Sequence, residues 1–224
     1  MNLRDSRAVL RRHAYSMHDE RLDVESLHLW RGDRHVLRGV CFSLASGECL
    51  QVTGPNGSGK TSLLRTVCGL MYPEEGRVLW EGRDVRGDLR AFHCALAYLG
   101  HEPPLKAELS ARENLRYWIG VRYRFGAAAL DGALERVGAS PWCDRLVRTL
   151  SAGQRRRVAL AGLALSMVPL WLLDEPTTNL DTEGQQLVGS LIAEQLARGG
   201  MVVAAVHHEL PATVRDLRRL ELVA

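Results

Sequence analysis

From Leu22 onward the chain alternates apolar with polar side chains, at Leu22 and Val24, then at Leu27 and Leu29, and the habit continues over residues 36–44 and 48–53. A period of two places one face of a strand in a core and the other toward water, so the first third is predicted to be β-rich. Gly47 and the Glu81-Gly82 pair mark turns, the second inside a hairpin joining 77–80 to 83–85, and one helix is predicted from Gly59 to about Leu70. From about 102 to 167 the apolar spacing becomes helical. Ser110 followed by Glu113 makes a capping box, which starts a helix at Ala111 with Leu115, Trp118 and Ile119 on one face. Further helices are predicted over 127–137 and 153–166. Two wholly apolar stretches, 170–173 and 201–206, flank a helix over about 182–198. Apolar strands divided by a helix indicate a parallel sheet covered on both faces. The predicted class is α/β: a mostly parallel core sheet, an antiparallel β subdomain and a helical lobe at about 102–167 inserted in the core, with the domain running over 21–224.

Composition changes this picture in five places. With 224 residues, 46% hydrophobic and 25% charged, the chain is sized for one large core or a core with a smaller lobe. Lys plus Arg number 29 against 26 acidic residues, a net charge of +3, which argues against a nucleic-acid protein driven by bulk charge. Five scattered cysteines, with no C-x-x-C pair and mostly apolar neighbours, are expected to be reduced core residues. The longest charge-free segment, 158–173, falls short of the roughly 20 residues that span a bilayer and contains Ser166 and Pro169. Residues 1–20 carry Arg4, Arg7, Arg11 and Arg12 without clear periodicity. They are expected to be a loose tail or a misassigned start, with Met17 as the candidate beginning.

The chemistry concentrates in four short segments. Gly54-Pro55-Asn56-Gly57-Ser58-Gly59-Lys60-Thr61 fits G-x-x-x-x-G-K-[ST] and sits between a predicted strand and a predicted helix, the context that the motif requires. Its glycines let backbone N–H groups turn toward phosphate oxygens, with Ser62 extending the helix N-terminus behind them. Lys60, one of only two lysines, meets the β and γ phosphates, and Thr61 is a Mg²⁺ ligand. Asp174 and Glu175 close the apolar strand 170–173. Alone they are equally a helix cap; beside a phosphate loop, Asp174 is placed for the Mg²⁺ shell and Glu175 for polarising a water. Ser151-Ala152-Gly153-Gln154 opens a helix with small residues and a serine hydroxyl, a second anion site. Since the first loop already holds this chain's own nucleotide, the economical reading is that it meets the γ-phosphate held by another copy. Asn179-Leu180-Asp181 and His207 complete the set; a histidine after a buried strand is by itself more often a structural hydrogen-bonder. Arg155, Arg156 and Arg157 are expected to form a solvated helix face, with steering of ATP or contact with anionic lipid as the functional option.

In this order GPNGSGKT, LSAGQ, LWLLDEP, NLD and the histidine resemble the ATP-binding cassette (ABC) ATPases, over about residues 22–224. The resemblance implies a P-loop NTPase fold and a subunit that dimerises head to tail, each phosphate loop and the partner's LSAGQ enclosing one ATP. It also implies Glu175 as general base, His207 as γ-phosphate sensor and Asp181 in the loop between the two sites. Two positions depart from the pattern. The family's glutamine near the Mg²⁺ aligns with His101, and the aromatic that stacks on adenine aligns with Arg31, beside Trp30, so either the indole or the guanidinium plane serves the base.

Tyr98-Leu99-Gly100-His101, the run 105–109, Glu113-Asn114-Leu115 and the stretch LSAGQRRRVALA are similar to the cytochrome c biogenesis haem-exporter ATPases of the CcmA family. The Thr-Thr before Asn179 and the Ala-Val before His207 depart from that family's usual residues. This second resemblance implies ATP hydrolysis that powers a membrane complex for c-type cytochromes, on the cytoplasmic side of the inner membrane, with integral subunits of the CcmB/CcmC type and haem met only indirectly. The alternatives are the cassette of another importer or exporter, and a soluble ATPase acting on ribosomes or DNA.

Overall fold

The computed structural model describes residues 20–121, 125–214 and 217–223. The basic run at Arg4–Arg12 and Met17 lie outside the described residues. In chain order, β1 (Arg21–Arg31) and β2 (Arg34–Ala45) make a long hairpin, β3 (Cys49–Thr53) leads to α1 (Lys60–Val67), and β4 (Glu75–Trp80) turns into β5 (Arg83–Asp84). α2 (Leu89–Ala95) passes directly into β6 (Leu96–Leu99). There follow α3 (Ala111–Gly120), α4 (Ala127–Arg136), α5 (Ala152–Leu165), β7 (Leu170–Asp174), α6 (Thr182–Ala197), β8 (Met201–Ala205) and β9 (Leu217–Glu221).

The strands form two sheets, an antiparallel one in the order β2-β1-β4-β5 and a five-stranded one in the order β6-β7-β8-β3-β9. All pairings in the second are parallel. Its central strands are buried on both faces, and their alternation divides the interior in two. Leu170, Leu172, Met201, Val203, Leu50 and Val52 join α1 and the antiparallel sheet in one core. Trp171, Leu173, Val202 and Ala204 pack with α3, α4, α5 and α6 in the other. Burying apolar side chains at roughly 25 cal/mol per Å² on both faces is what makes these strands read as continuous hydrophobic runs.

The capping box on α3 forms in both directions: the Glu113 N–H donates to Ser110 Oγ (3.2 Å) and the Ser110 N–H to Glu113 Oε2 (2.8 Å). Leu115 and Ile119 are buried as expected, and Trp118 is partly buried. The helices of the lobe begin only at Ala111. Residues 102–109 have no helix, and their main chain is held instead by Asn114, whose side chain bonds the N–H and C=O of Lys106. α2, β6 and β9 have no counterpart in the sequence reading. β6 is four residues long, and β9 (LRRLE) is an edge strand whose two leucines face opposite cores and whose arginines are exposed, so it shows no alternation. The cysteines are free as expected, yet only Cys49, Cys68 and Cys143 are in the core; Cys41 and Cys94 are exposed. Among the described residues no helix is long and apolar enough to cross a membrane.

Candidate active site at the carboxyl ends of the parallel strands

β6, β7, β8 and β3 lie side by side, and their carboxyl ends carry, in that order, His101, Asp174 with Glu175, His207 and the phosphate loop. Open parallel sheets bind ligands outside the carboxyl ends of their strands. Two glycines shape the loop. Gly54 has φ +142°, and a Cβ there would run into the Leu222 carbonyl; Gly59 has φ +102°, and a Cβ would lie 2.7 Å from the Val36 side chain. Neither position admits a larger residue without moving the backbone.

Lys60 is buried, and its Nζ donates to the carbonyls of Gly54 (2.7 Å) and Pro55 (3.1 Å), which hold the ammonium inside the loop. Arg34, on the β1–β2 hairpin, donates from Nη2 to the Gly57 carbonyl at 2.9 Å. The cleft so formed, about 370 Å³, is lined by Arg31, Arg34, Val36, Asn56, Gly57, Gly59, Lys60, Thr61, Ser62, Glu175 and His207. Three cations, of which Lys60 and Arg34 are held by bonds to loop carbonyls, suit a polyphosphate.

Thr61 Oγ1 donates to Asp174 Oδ1 at 3.1 Å, while Asp174 Oδ2 is buried without a partner among the described residues. Burial raises the Asp174 carboxyl above its usual range, and the charge of Glu175 adds to this against the hydrogen bond from Thr61. A buried carboxylate with an orphan oxygen beside a hydroxyl offers the hard oxygen donors that Mg²⁺ takes, and this ion commonly completes its shell with phosphate and water. The residues present therefore fit the ion. Among the described residues no cluster of three or more His, Cys, Asp or Glu side chains forms a metal cage.

Glu175 has φ +51°, a conformation that is strained for a non-glycine residue, and its N–H donates to the Ala205 carbonyl at 2.8 Å. Its carboxylate is flanked on three sides. Thr178 Oγ1 donates to Oε2 at 3.1 Å, His207 Nε2 lies 2.5 Å from Oε1, and His101 Nδ1 lies 4.0 Å from Oε2. The two histidines singled out in the sequence thus converge on one carboxylate.

Arg31 lines the cleft. Trp30 is absent from its lining; the indole stacks on His35 with centroids 3.7 Å apart and planes 6° from parallel. None of Ser151, Ala152, Gly153 and Gln154 lines the phosphate cleft either. Ala152 borders a separate cleft with His101, Arg148, Arg155 and Asn179. The Ser151 hydroxyl caps α5 as an acceptor from the Gln154 N–H at 3.1 Å, while Gln154 Oε1 accepts from the Ser151 N–H at 2.9 Å. Gly153 lies against the Asn179 carbonyl, where a Cβ would sit 2.7 Å from the oxygen. Asp181 caps α6 by accepting from the Gly184 N–H and also pairs with Arg157 at 2.9 Å; these bonds hold its carboxyl below the usual range.

The expectation of a solvated arginine face on α5 is overturned. Arg156 is 2% exposed, Arg157 bonds Val137 and Asp181, and Arg155 bonds the Leu150 carbonyl. A signal existed, because Arg156 shares helical spacing with Ala159, Leu160 and Leu163, all buried. Arg34 and Thr178 were also missed; an exposed hairpin arginine and a turn threonine carry no signal in a single sequence.

The family model described as "ABC transporter" matches residues 37–178. A curated relative from Methylococcus capsulatus, "Cytochrome c biogenesis ATP-binding export protein CcmA", is 46% identical over 92% of this chain and 100% of its own length. A relative of the same name from Yersinia pestis is 42% identical over 89% of this chain and 91% of its own. Among solved structures, an ATP binding subunit of an ABC transporter superposes with a TM-score of 0.75 at 25% identity, over 83% of this chain and 79% of that one. The cbiO1 subunit from Clostridium perfringens, part of the ABC transporter complex cbiONQ, gives 0.69 at 27%, over 84% and 78%. With its phosphate loop, acidic strand end and histidine on one cleft, the chain belongs to the ABC transporter ATP-binding family, among the cytochrome c biogenesis export proteins of the CcmA type.

Proposed function

We propose that the chain is the ATP-hydrolysing subunit of an ABC membrane complex that serves c-type cytochrome biogenesis. The observation that carries this reading is the convergence on one cleft of Lys60, the Thr61–Asp174 pair and Glu175. The client rests on what the relatives' names say they serve. The phosphate loop and Lys60 bind the ATP phosphates, and Arg31, which lines the same cleft, offers its guanidinium plane to the base. Thr61 and Asp174 would hold Mg²⁺, which would supply neutralisation of the phosphate charge. Glu175 takes the proton of a water that attacks the γ-phosphorus as the bond to the bridging oxygen breaks, leaving ADP and phosphate. His207 bridges this carboxylate and the γ-phosphate, and His101 stands on its other side, an imidazole where oxygen donors are preferred by the metal and so a neighbour of Glu175 before a ligand.

Two copies act together. Ser151 to Gln154 and Asp181 lie away from their own phosphate cleft, which supports a head-to-tail dimer in which each signature segment meets the partner's γ-phosphate. Integral subunits of the CcmB/CcmC type supply the membrane span, the chain sits on the cytoplasmic side of the inner membrane, and haem is handled by the partners. Glu175→Gln removes the base and keeps the shape. It is expected to leave ATP affinity within about twofold and to lower turnover by about 100-fold or more. Normal hydrolysis by this variant, measured as phosphate release by the co-purified complex, would remove Glu175 from the role.

A further inference from the structure

Arg156 is a cation sealed in the interior, and all five of its N–H donors are spent on main-chain carbonyls. Nε donates to Pro176 (3.2 Å), Nη1 to Gly100 (2.7 Å) and His101 (3.4 Å), and Nη2 to Asp174 (2.9 Å) and Glu175 (2.6 Å). Among the described residues no carboxylate accepts from it. A guanidinium is a rigid planar fork, so five carbonyls that satisfy it at once must hold a fixed relation to one another. Three of them are consecutive, at Asp174, Glu175 and Pro176, and they run through the residue whose φ is +51°. The other two belong to the turn that carries His101. The arginine itself stands on α5, five residues beyond Ser151, where that helix begins.

We infer that Arg156 is a positioning residue for hydrolysis: it locks the strained backbone at Glu175 and the His101 turn to the helix that begins with the signature segment, so that the carboxylate and its imidazole neighbour are held in register. Two properties suit it to that task. Burial lowers its pKa only to about 10, so it is a cation at neutral pH, and the nearby charges of Asp174 and Glu175 oppose the shift. Its bonds are to the backbone, so they set where the side chains of Glu175 and His101 start without occupying the carboxylate. The same link gives a mechanical route from one ATP site to the other, because a shift of α5 on meeting a partner's γ-phosphate is transmitted to the copy's own Glu175.

The inference rests on Glu175 as the general base, and the test separates the two. In the full chain co-purified with its membrane partners, Arg156→Lys keeps the charge and cannot reach five carbonyls. ATP affinity is expected within about twofold of wild type and kcat about 10- to 100-fold lower, the cost of a misplaced catalytic group. His101→Ala should lower kcat in the wild-type background and add little in the Arg156→Lys background, since both act through one carboxylate. Arg156→Lys with kcat within twofold of wild type overturns the inference, as does a parallel fall of ATP affinity and kcat, or multiplicative loss with His101→Ala. Should Arg156→Lys not yield folded protein, Arg156→Gln with the same readouts decides in the same way. Glu175→Gln, assayed alongside, isolates the base: normal turnover there defeats the general-base reading, whereas an inactive Glu175→Gln with a fully active Arg156→Lys defeats the positioning role alone.

Discussion

Buried charge at single residues sets the character of this chain, and three instances differ in how far they are compensated. Asp174 has one oxygen bonded to Thr61 and the other unpaired, an arrangement that a cation completes. Arg156 is compensated by five carbonyl dipoles. Glu20, at the start of β1, is 3% exposed, and neither carboxylate oxygen has a partner among the described residues; burial, then the charge of Glu81, pushes its pKa up to about 7. Between the ordinary carboxylate range and pH 7 the folded state binds more protons than the unfolded state, so stability falls as pH rises through this window and the full cost applies above it. Glu20→Gln is therefore expected to raise the melting temperature at pH 8, by up to about 4–8 °C for a gain of about 2 kcal/mol, and to change it little at pH 4.5. Equal shifts at both pH values, measured by differential scanning fluorimetry, would contradict it.

Capping and spacing at the scale of elements tell the same story in local terms. Ser110 with Glu113, and Ser151 with Gln154, are reciprocal caps that start α3 and α5, the two helices that pack through Gly162 against Trp118. The first cap is structural alone and lies outside the phosphate cleft. Ser110→Ala should cost about 1 kcal/mol, or roughly 2–4 °C in melting temperature, with ATP affinity unchanged, as thermal denaturation with and without nucleotide would register. Both caps were open to sequence reading in different degree. Ser110-x-x-Glu113 is legible because the box is a spacing rule, whereas the small residues of Ser151-x-x-Gln154 draw the eye to an anion site before a cap. β6 and β9 escaped detection for a related reason: four or five residues, two of them arginines in β9, are too few to establish a period.

At the scale of the whole molecule, two clefts, one lined by the phosphate loop and one bordered by the start of α5, are what the proposed head-to-tail pairing needs from each copy. In the Glu175→Gln background, ATP is expected to convert the chain from monomer to a dimer in size-exclusion chromatography, and ADP to return it to the monomer, because differential binding to the closed form shifts the population. Adding Lys60→Ala should abolish the shift; a dimer that forms without nucleotide would argue against γ-phosphate bridging. The sequence by itself determined the class of fold, the phosphate loop, the acidic strand end and the signature segment, because each is a local pattern whose residue types and spacing fix a backbone shape. Only the tertiary structure decided that His101 and His207 meet on Glu175, that Trp30 is engaged by His35 rather than by the cleft, and that Arg156 is interior. These relations join residues from separate strands and helices through sheet order and packing, and one-dimensional spacing carries no record of which segments a fold makes neighbours.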